Sequence, residues 1–265
     1  MKEGKPVFGT TEWAASNANY LKGCSNDCKY CFSKEMAIRF KRKTPENWKE
    51  EEVNWDAYNK SVRFREGFIM FPSTHDITPE HLDLAIGYLR RLLVAGNKVL
   101  VVSKPSLVCV KRICDTFGEF KNKILFRFTI GSTSSETLRF WEPNASDYEE
   151  RKKALIYAYD TGYQTSISCE PMLDDRVDRV IDELSQYITD AIWLGKMNFV
   201  IRRLRTNGQL NAETLAAAEQ LLEWQSDEAI RGLYNRYKDN PSIKWKESIK
   251  KIVGLEVSTI KGEDK

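Results

Sequence analysis

Three cysteines stand within eight residues, in the run Gly23-Cys24-Ser25-Asn26-Asp27-Cys28-Lys29-Tyr30-Cys31-Phe32, a C-x3-C-x2-C spacing. Thiolates this close together suit a thiophilic metal or an iron–sulfur cluster. A structural zinc would want a fourth ligand in tetrahedral geometry. The chain has two histidines, His75 and His81, and neither pairs with a cysteine at finger-like spacing. A four-iron cluster held by three thiolates leaves one iron open to an exogenous ligand, and an open coordination position is a catalytic feature. The other cysteines, Cys109, Cys114 and Cys169, are scattered. That distribution points to a metal site rather than a disulfide framework, and Cys109 and Cys114, on an apolar helical pattern, read as core.

The elements that must position this cluster alternate. Strand-like runs cover residues 19–22, 67–72, 98–103, 124–130, 164–169 and 190–195, with KVLVVS and ILFRFTI rich in β-branched and aromatic residues. Helix-like patterns fill the intervals at 79–95, 106–117, 147–159 and 174–187. The first has Thr78 as N-cap candidate, Pro79 at its first position and Gly96 after its end. Strands alternating with helices predict βαβ units and an α/β fold with a parallel sheet. Six units make either an incomplete barrel or an open doubly wound sheet. After Asn198 the pattern reads as helices alone, over 212–238 and 242–251. The expected division is therefore 1–198 for the α/β unit and 199–265 for a helical C-terminal extension.

The chain has 265 residues, 42% hydrophobic and 30% charged. It reads as folded, with no apolar stretch of about 20 residues that could span a membrane. The beginning, MKEGKPVFGTTEW, lacks the apolar core of a secretory signal, so the expected location is the cytoplasm. Forty-one Lys and Arg against 38 Asp and Glu give a formal charge of +3, which neither marks nor excludes a nucleic-acid binder.

C-x3-C-x-aromatic-C after a first strand resembles the radical S-adenosylmethionine (SAM) superfamily. The resemblance implies a partial (βα)6 TIM-like barrel with a 4Fe-4S cluster on the loop after the first strand. It implies that the open iron binds the amino and carboxylate groups of SAM, and that reductive cleavage gives methionine and a 5′-deoxyadenosyl radical. It also implies an electron donor such as flavodoxin or ferredoxin. The resemblance extends to GFIMFPSTHD at 67–76, VLVVSK at 99–104, FRFTIGS at 126–132, WEPNASDYEER at 141–151 and GYQTSISCEPM at 162–172. That series, in that order, is similar to the spore photoproduct lyase branch.

Residue by residue, the resemblance makes Cys24, Cys28 and Cys31 the cluster ligands and places Tyr30 beside the adenine of SAM. It puts Lys104 on the SAM carboxylate and Thr129 in a hydrogen bond to SAM. Ser73, His75 and Asp76 fall in the run near SAM, where His75 could serve as an acid or base. Cys169 and Glu170 end the fifth strand at the barrel mouth, Cys169 as a hydrogen-atom donor and Glu170 toward the SAM ribose or the substrate. Lys196 and Asn198, after Trp193, would point to the same mouth.

Two departures bear on the chemistry. The branch has a hydrogen-donating cysteine where this chain has Ser73, and a relay tyrosine where it has Phe32. Repair of spore photoproduct is therefore not expected. Basic clusters at Arg39, Lys41, Arg42, Lys43 and at Arg202, Arg203, Arg205, interleaved with Phe40 and Phe199, could track a phosphate backbone. The expected function is a radical SAM enzyme acting on an unidentified substrate, with a nucleotide or nucleic acid one candidate class. The alternative is a non-catalytic iron–sulfur or zinc protein that binds nucleic acid.

Overall fold

The computed structural model describes residues 5–263. One sheet of seven parallel strands runs through it. These are β1 (Ser16–Asn17), β4 (Phe68–Phe71), β5 (Lys98–Ser103), β6 (Ile124–Thr129), β7 (Gln164–Cys169), β8 (Ile192–Leu194) and β9 (Ile243–Trp245). Their spatial order is their order along the chain. That decides between the two topologies left open by the pattern. A doubly wound sheet reverses direction at a switch point, and this sheet never does. β1 and β9 remain as edges, so the sheet is a partial barrel rather than a closed one.

Alternation along each strand divides the core into two layers. One face of the sheet carries Ile69, Phe71, Val99, Val101, Phe126, Phe128, Ile167 and Leu194 into a core shared with the helices. Each such fully buried side chain contributes roughly 1.5–3 kcal/mol. The opposite face carries Met70, Leu100, Leu125 and Trp193 into a smaller inner core with Trp13 and Ala14. Arg127 lies in that inner layer. It donates from Nε to Ser166 Oγ at 3.0 Å, pairs with Asp190 at 2.9 Å and sits over the Trp13 and Trp193 rings.

The outer helices follow the expected intervals with small shifts. They include α3 (Leu82–Val94), α4 (Leu107–Thr116), α6 (Tyr148–Asp160) and α7 (Val177–Leu184). α3 buries Ala85, Tyr88, Leu89, Leu92 and Leu93, a three- and four-residue rhythm. Its N-cap is His81, not Thr78. Thr78 instead donates its hydroxyl to Glu51 at 3.1 Å.

Three expectations are corrected. The first sheet strand is Ser16–Asn17. Leu21–Lys22 (β2) instead pairs antiparallel with Glu52–Val53 (β3) in a separate ribbon. A two-residue polar strand is held by backbone pairing alone and leaves no hydrophobic rhythm to read. The region after Asn198 is not helical throughout, because Ile243–Trp245 adds a seventh strand, parallel to β8. The expected helix over 212–238 is two, α9 (Ala212–Trp224) and α10 (Asp227–Tyr237), divided where the Ser226 hydroxyl accepts from Ala229 N and caps the second. Among the described residues, no helix is long and apolar enough to cross a membrane.

Candidate functional site

The cysteine run forms a loop past the carboxyl end of β1, the end where parallel α/β barrels place their chemistry. Gly23 opens it with φ +94°, and a Cβ there would stand 2.3 Å from the Glu50 carbonyl oxygen. Only glycine fits that turn and close approach. Distant segments then fasten the loop. Cys24 N donates to Trp48 O at 3.0 Å, Ser25 N to Glu51 Oε1 at 2.8 Å and Lys29 N to Trp141 O at 2.9 Å. Asn26 Nδ2 donates to Asp76 Oδ2 at 2.8 Å, and Asn144 Nδ2 to Ser25 O at 3.0 Å. From α8 (Val200–Thr206), the following residue Asn207 donates both amide hydrogens, to Lys29 O and Cys31 O, each at 3.0 Å. Cys31 is the N-cap of α1 (Phe32–Arg39), and its sulfur accepts from Lys34 N at 3.3 Å.

Cys28 is buried, and Cys24 and Cys31 are half-buried. Burial pushes all three thiols above their ordinary range, with Cys28 and Cys31 adding to the rise at Cys24, while Lys104 opposes it at Cys28 and Cys31. Left alone, these groups stay protonated and neutral. A positively charged metal centre is what would convert them to thiolates. The donor set, three neighbouring thiols, suits a thiophilic centre.

Behind the loop lies a buried charge network with Glu142 at its centre. Its carboxylate pairs with Arg151 at 2.6 Å and with Lys104 at 3.8 Å, and accepts a hydrogen bond from the Tyr30 hydroxyl. The Glu142 and Arg151 side chains are wholly buried. Burial would raise the Glu142 carboxyl, but Arg151 and Lys104 outweigh it and hold the group below its ordinary value. Burial likewise disfavours the Lys104 ammonium, and the carboxylates of Glu142 and Asp76 oppose that loss. Arg151 also donates to the Thr129 carbonyl at 3.0 Å and the Ser146 carbonyl at 2.8 Å. Two cations face Glu142, and Asp76, buried at the Lys104 backbone, supplies a second carboxylate on the loop side.

Solved structures with this arrangement of elements exist. Spore photoproduct lyase complexed with dinucleoside spore photoproduct matches with a TM-score of 0.58 at 14% identity, covering 92% of this chain and 79% of that one. A variant of that lyase with bound AdoMet and the dinucleoside matches at 0.57 and 14%, over 92% and 78%. SuiB of Streptococcus suis, bound to S-adenosylmethionine, matches at 0.54 and 14%, over 94% of this chain and 54% of SuiB. The chain shares the fold of spore photoproduct lyase and SuiB. No protein-family model and no curated protein matches the sequence.

Within this shared fold, strand parity sorts the expected site residues. Thr129 ends β6 on the inner face, with Arg127 and Leu125, and its hydroxyl makes no hydrogen bond among the described residues. Lys104 continues the inner parity of Leu100 and Val102, with its ammonium 5.9 Å from the centre of the Tyr30 ring. Cys169 has the opposite parity. It shares the outer core with Ile167 and is fully buried there. A thiol between sheet and helices does not face the barrel interior, so the structure places Cys169 away from the hydrogen-donor position expected of it.

Ser73, His75 and Asp76 belong to the scaffold of the site. Ser73 Oγ accepts from Asn19 Nδ2 at 2.9 Å, and its N–H donates to Asn19 Oδ1 at 2.7 Å. Asp76 accepts from Ser103 Oγ, from Ile77 N at 2.8 Å, from Asn26 Nδ2 at 2.8 Å and from Lys104 N at 3.0 Å. Those four donors fill its lone-pair directions. Asp76 thus ties the cysteine loop to the end of β5 and positions Lys104.

His75 is buried. Its Nε2 accepts from Tyr20 N at 3.3 Å, which leaves Nδ1 as the donor to Asp76 O at 2.9 Å. Burial pushes it down to about 4. It is a neutral structural histidine, not an acid or base near pH 7. The unfolded chain, with an ordinary value near 6.5, holds this proton more tightly. His75 therefore contributes nothing pH-dependent above about 7 and lowers stability as pH falls from 6.5 toward 4, by up to roughly 3 kcal/mol. His75→Gln should flatten the acid limb of urea-unfolding free energy across that window. A limb as steep as the wild type's would refute this role.

Glu170 is at the mouth, where Lys246 reaches it at 3.3 Å and also pairs with Glu12 at 2.8 Å. Burial raises the Glu170 carboxyl, and Lys246 opposes the rise. Gly195 leaves room for both, since a Cβ there would stand 2.8 Å from Glu170 Cγ and 2.9 Å from Lys246 Cγ. Lys196 pairs with Asp227 at 3.6 Å. Cys109 and Cys114 are buried in the outer core, as expected.

Sequence reasoning missed four functional supports. Glu142 and Arg151 lie inside a quoted motif, and two charged residues bracketing WEPNASDYEER were the available signal. Asn207 and Lys246 offered none, because Asn207 acts on a loop more than 170 residues away and Lys246 bridges two remote segments at Glu12 and Glu170.

Proposed function

We propose that the protein is a radical SAM enzyme. The observation that carries the reading is a three-cysteine loop at the carboxyl ends of parallel strands, backed by a buried network that places the Lys104 ammonium beside it. Cys24, Cys28 and Cys31 would hold a 4Fe-4S cluster. When bound, that cluster supplies the electron that cleaves SAM to methionine and a 5′-deoxyadenosyl radical.

The chain's own residues do the rest. Lys104, held by Glu142 below and Asp76 through its backbone, offers its ammonium to the SAM carboxylate. Tyr30 is fixed by Glu142 with its ring toward that ammonium, at the position proposed for the adenine. The Thr129 hydroxyl, on the inner face and unengaged, is available to the cofactor. Burial of the network excludes water from the place where a radical would form. Glu170, set by Lys246, stands at the mouth for the ribose or the substrate.

The lyase neighbour was solved with a dinucleoside and SuiB with a precursor peptide. We read the substrate here as a nucleotide or nucleic acid, on the run of lyase-like motifs between residues 19 and 172. Location in the cytoplasm, with a flavodoxin or ferredoxin as reductant, completes the proposal. The test is anaerobic reconstitution followed by dithionite. A brown protein that forms 5′-deoxyadenosine, with deuterium arriving from labelled DNA or RNA, is the expected outcome. A colourless zinc protein would favour the non-catalytic alternative.

Lys104→Ala should keep the cluster colour and weaken SAM binding by about 10- to 100-fold, the value of a charge-assisted contact. Equilibrium dialysis with labelled SAM measures it. Unchanged affinity would remove Lys104 from the site.

A further inference from the structure

α1 and α8, some 160 residues apart in sequence, pack together. Across them Phe199, Arg202, Arg203 and Phe32 form a ladder joined through the buried Glu35. Phe199 is 65% exposed, and Arg202 lies over its ring at 4.3 Å. Arg202 pairs with the buried Glu35 at 2.9 Å. Arg203 pairs with the other Glu35 oxygen at 3.6 Å and lies over the Phe32 ring at 5.4 Å. Phe32 is 53% exposed and is the residue after Cys31.

Phe199 costs folding energy twice. It holds a large ring in water, and its backbone is left-handed at φ 55°, a conformation that strains a bulky side chain. It gives α8 no side-chain cap bond in return. Exposed aromatics and arginines of this kind mark protein interfaces. We infer that this ladder is the docking face for a small acidic one-electron carrier protein, which reduces the cluster through the Cys31 side. The inference rests on the radical SAM reading above.

Three features select the carrier. Phe32 brings the surface to within one residue of a proposed cluster ligand. The excess of arginine on these helices, with Arg39, Lys41, Arg42 and Arg205 also exposed, complements an acidic partner. And the Arg202 and Arg203 guanidiniums are drawn inward by Glu35, so they present flat aromatic–cationic packing surface rather than free forks for phosphates. Lys43, grouped with the basic surface by sequence, is buried on Glu52 and the Glu50 carbonyl and drops out. In the transfer, the carrier loses one electron and the cluster gains it, and no atom moves.

The test titrates an oxidised acidic flavodoxin and a plant-type ferredoxin into the iron-loaded protein by calorimetry at about 50 mM and 300 mM salt, a span that shortens the screening length severalfold. The variants are Phe199→Asn, which suits the left-handed backbone, and Arg202→Gln. The expected result is salt-sensitive carrier binding, weakened at least tenfold in each variant. Carrier-driven 5′-deoxyadenosine formation falls in parallel, dithionite-driven formation does not, and Phe199→Asn melts no lower than the wild type. Variants that bind the carrier as tightly as the wild type would overturn the inference. So would variants that lose single-stranded oligonucleotide binding and keep the carrier. A wild type with no cluster absorbance would instead take down the radical SAM reading itself, and carrier binding is scored independently of that absorbance.

Discussion

Cys28→Ala should yield a protein that stays colourless after anaerobic reconstitution and forms no 5′-deoxyadenosine above background. Cys28 is the most deeply buried of the three thiols, and a site with two thiolates holds a four-iron cluster poorly. The fold should survive, because the loop is fastened by hydrogen bonds from Trp48, Glu51, Asp76, Trp141 and Asn207 rather than by the sulfur itself. Circular dichroism and iron content, measured on the same sample, separate the two effects. Full SAM cleavage by this variant would refute the assignment of the cysteines.

The second large effect is expected at Glu142. Glu142→Gln removes the anion shared by two buried cations. Arg151 is wholly buried and Lys104 nearly so, and leaving such charges uncompensated costs about 3–5 kcal/mol. For a chain of this length that corresponds to a melting temperature lower by roughly 6–20 °C. SAM affinity should fall as well, because Lys104 and Tyr30 both lose the group that orients them. A melting curve within about 2 °C of the wild type would show that the network is not a structural hub.

Much of this architecture is legible in the chain. β5, β6 and β7 carry β-branched and aromatic residues on both faces, because helices cover one and the inner core the other. β5 and most of β6 read as apolar runs, and β7 was readable from its place in the alternation, each to within a residue. The cysteine loop was equally plain, since ligand spacing is a local property. β1 and β9 escaped because each is short and polar in part, and each exists only by pairing with a neighbour. The roles expected of His75 and Cys169 failed for a related reason. Residue type and position along the chain place both at the mouth. Whether a side chain faces the interior or the helices depends on strand parity and on the hydrogen bonds that claim it.

By itself, the sequence determined the close spacing of the three cysteines, the α/β rhythm and the succession of motifs, because each depends on residues near one another in the chain. Only the tertiary structure decided which charges share a buried volume. Glu142 meets Lys104, Asn207 meets Cys31, and Lys246 joins Glu12 to Glu170. The energy of such contacts depends on desolvation and distance, which arise when remote segments pack, and no local pattern encodes them.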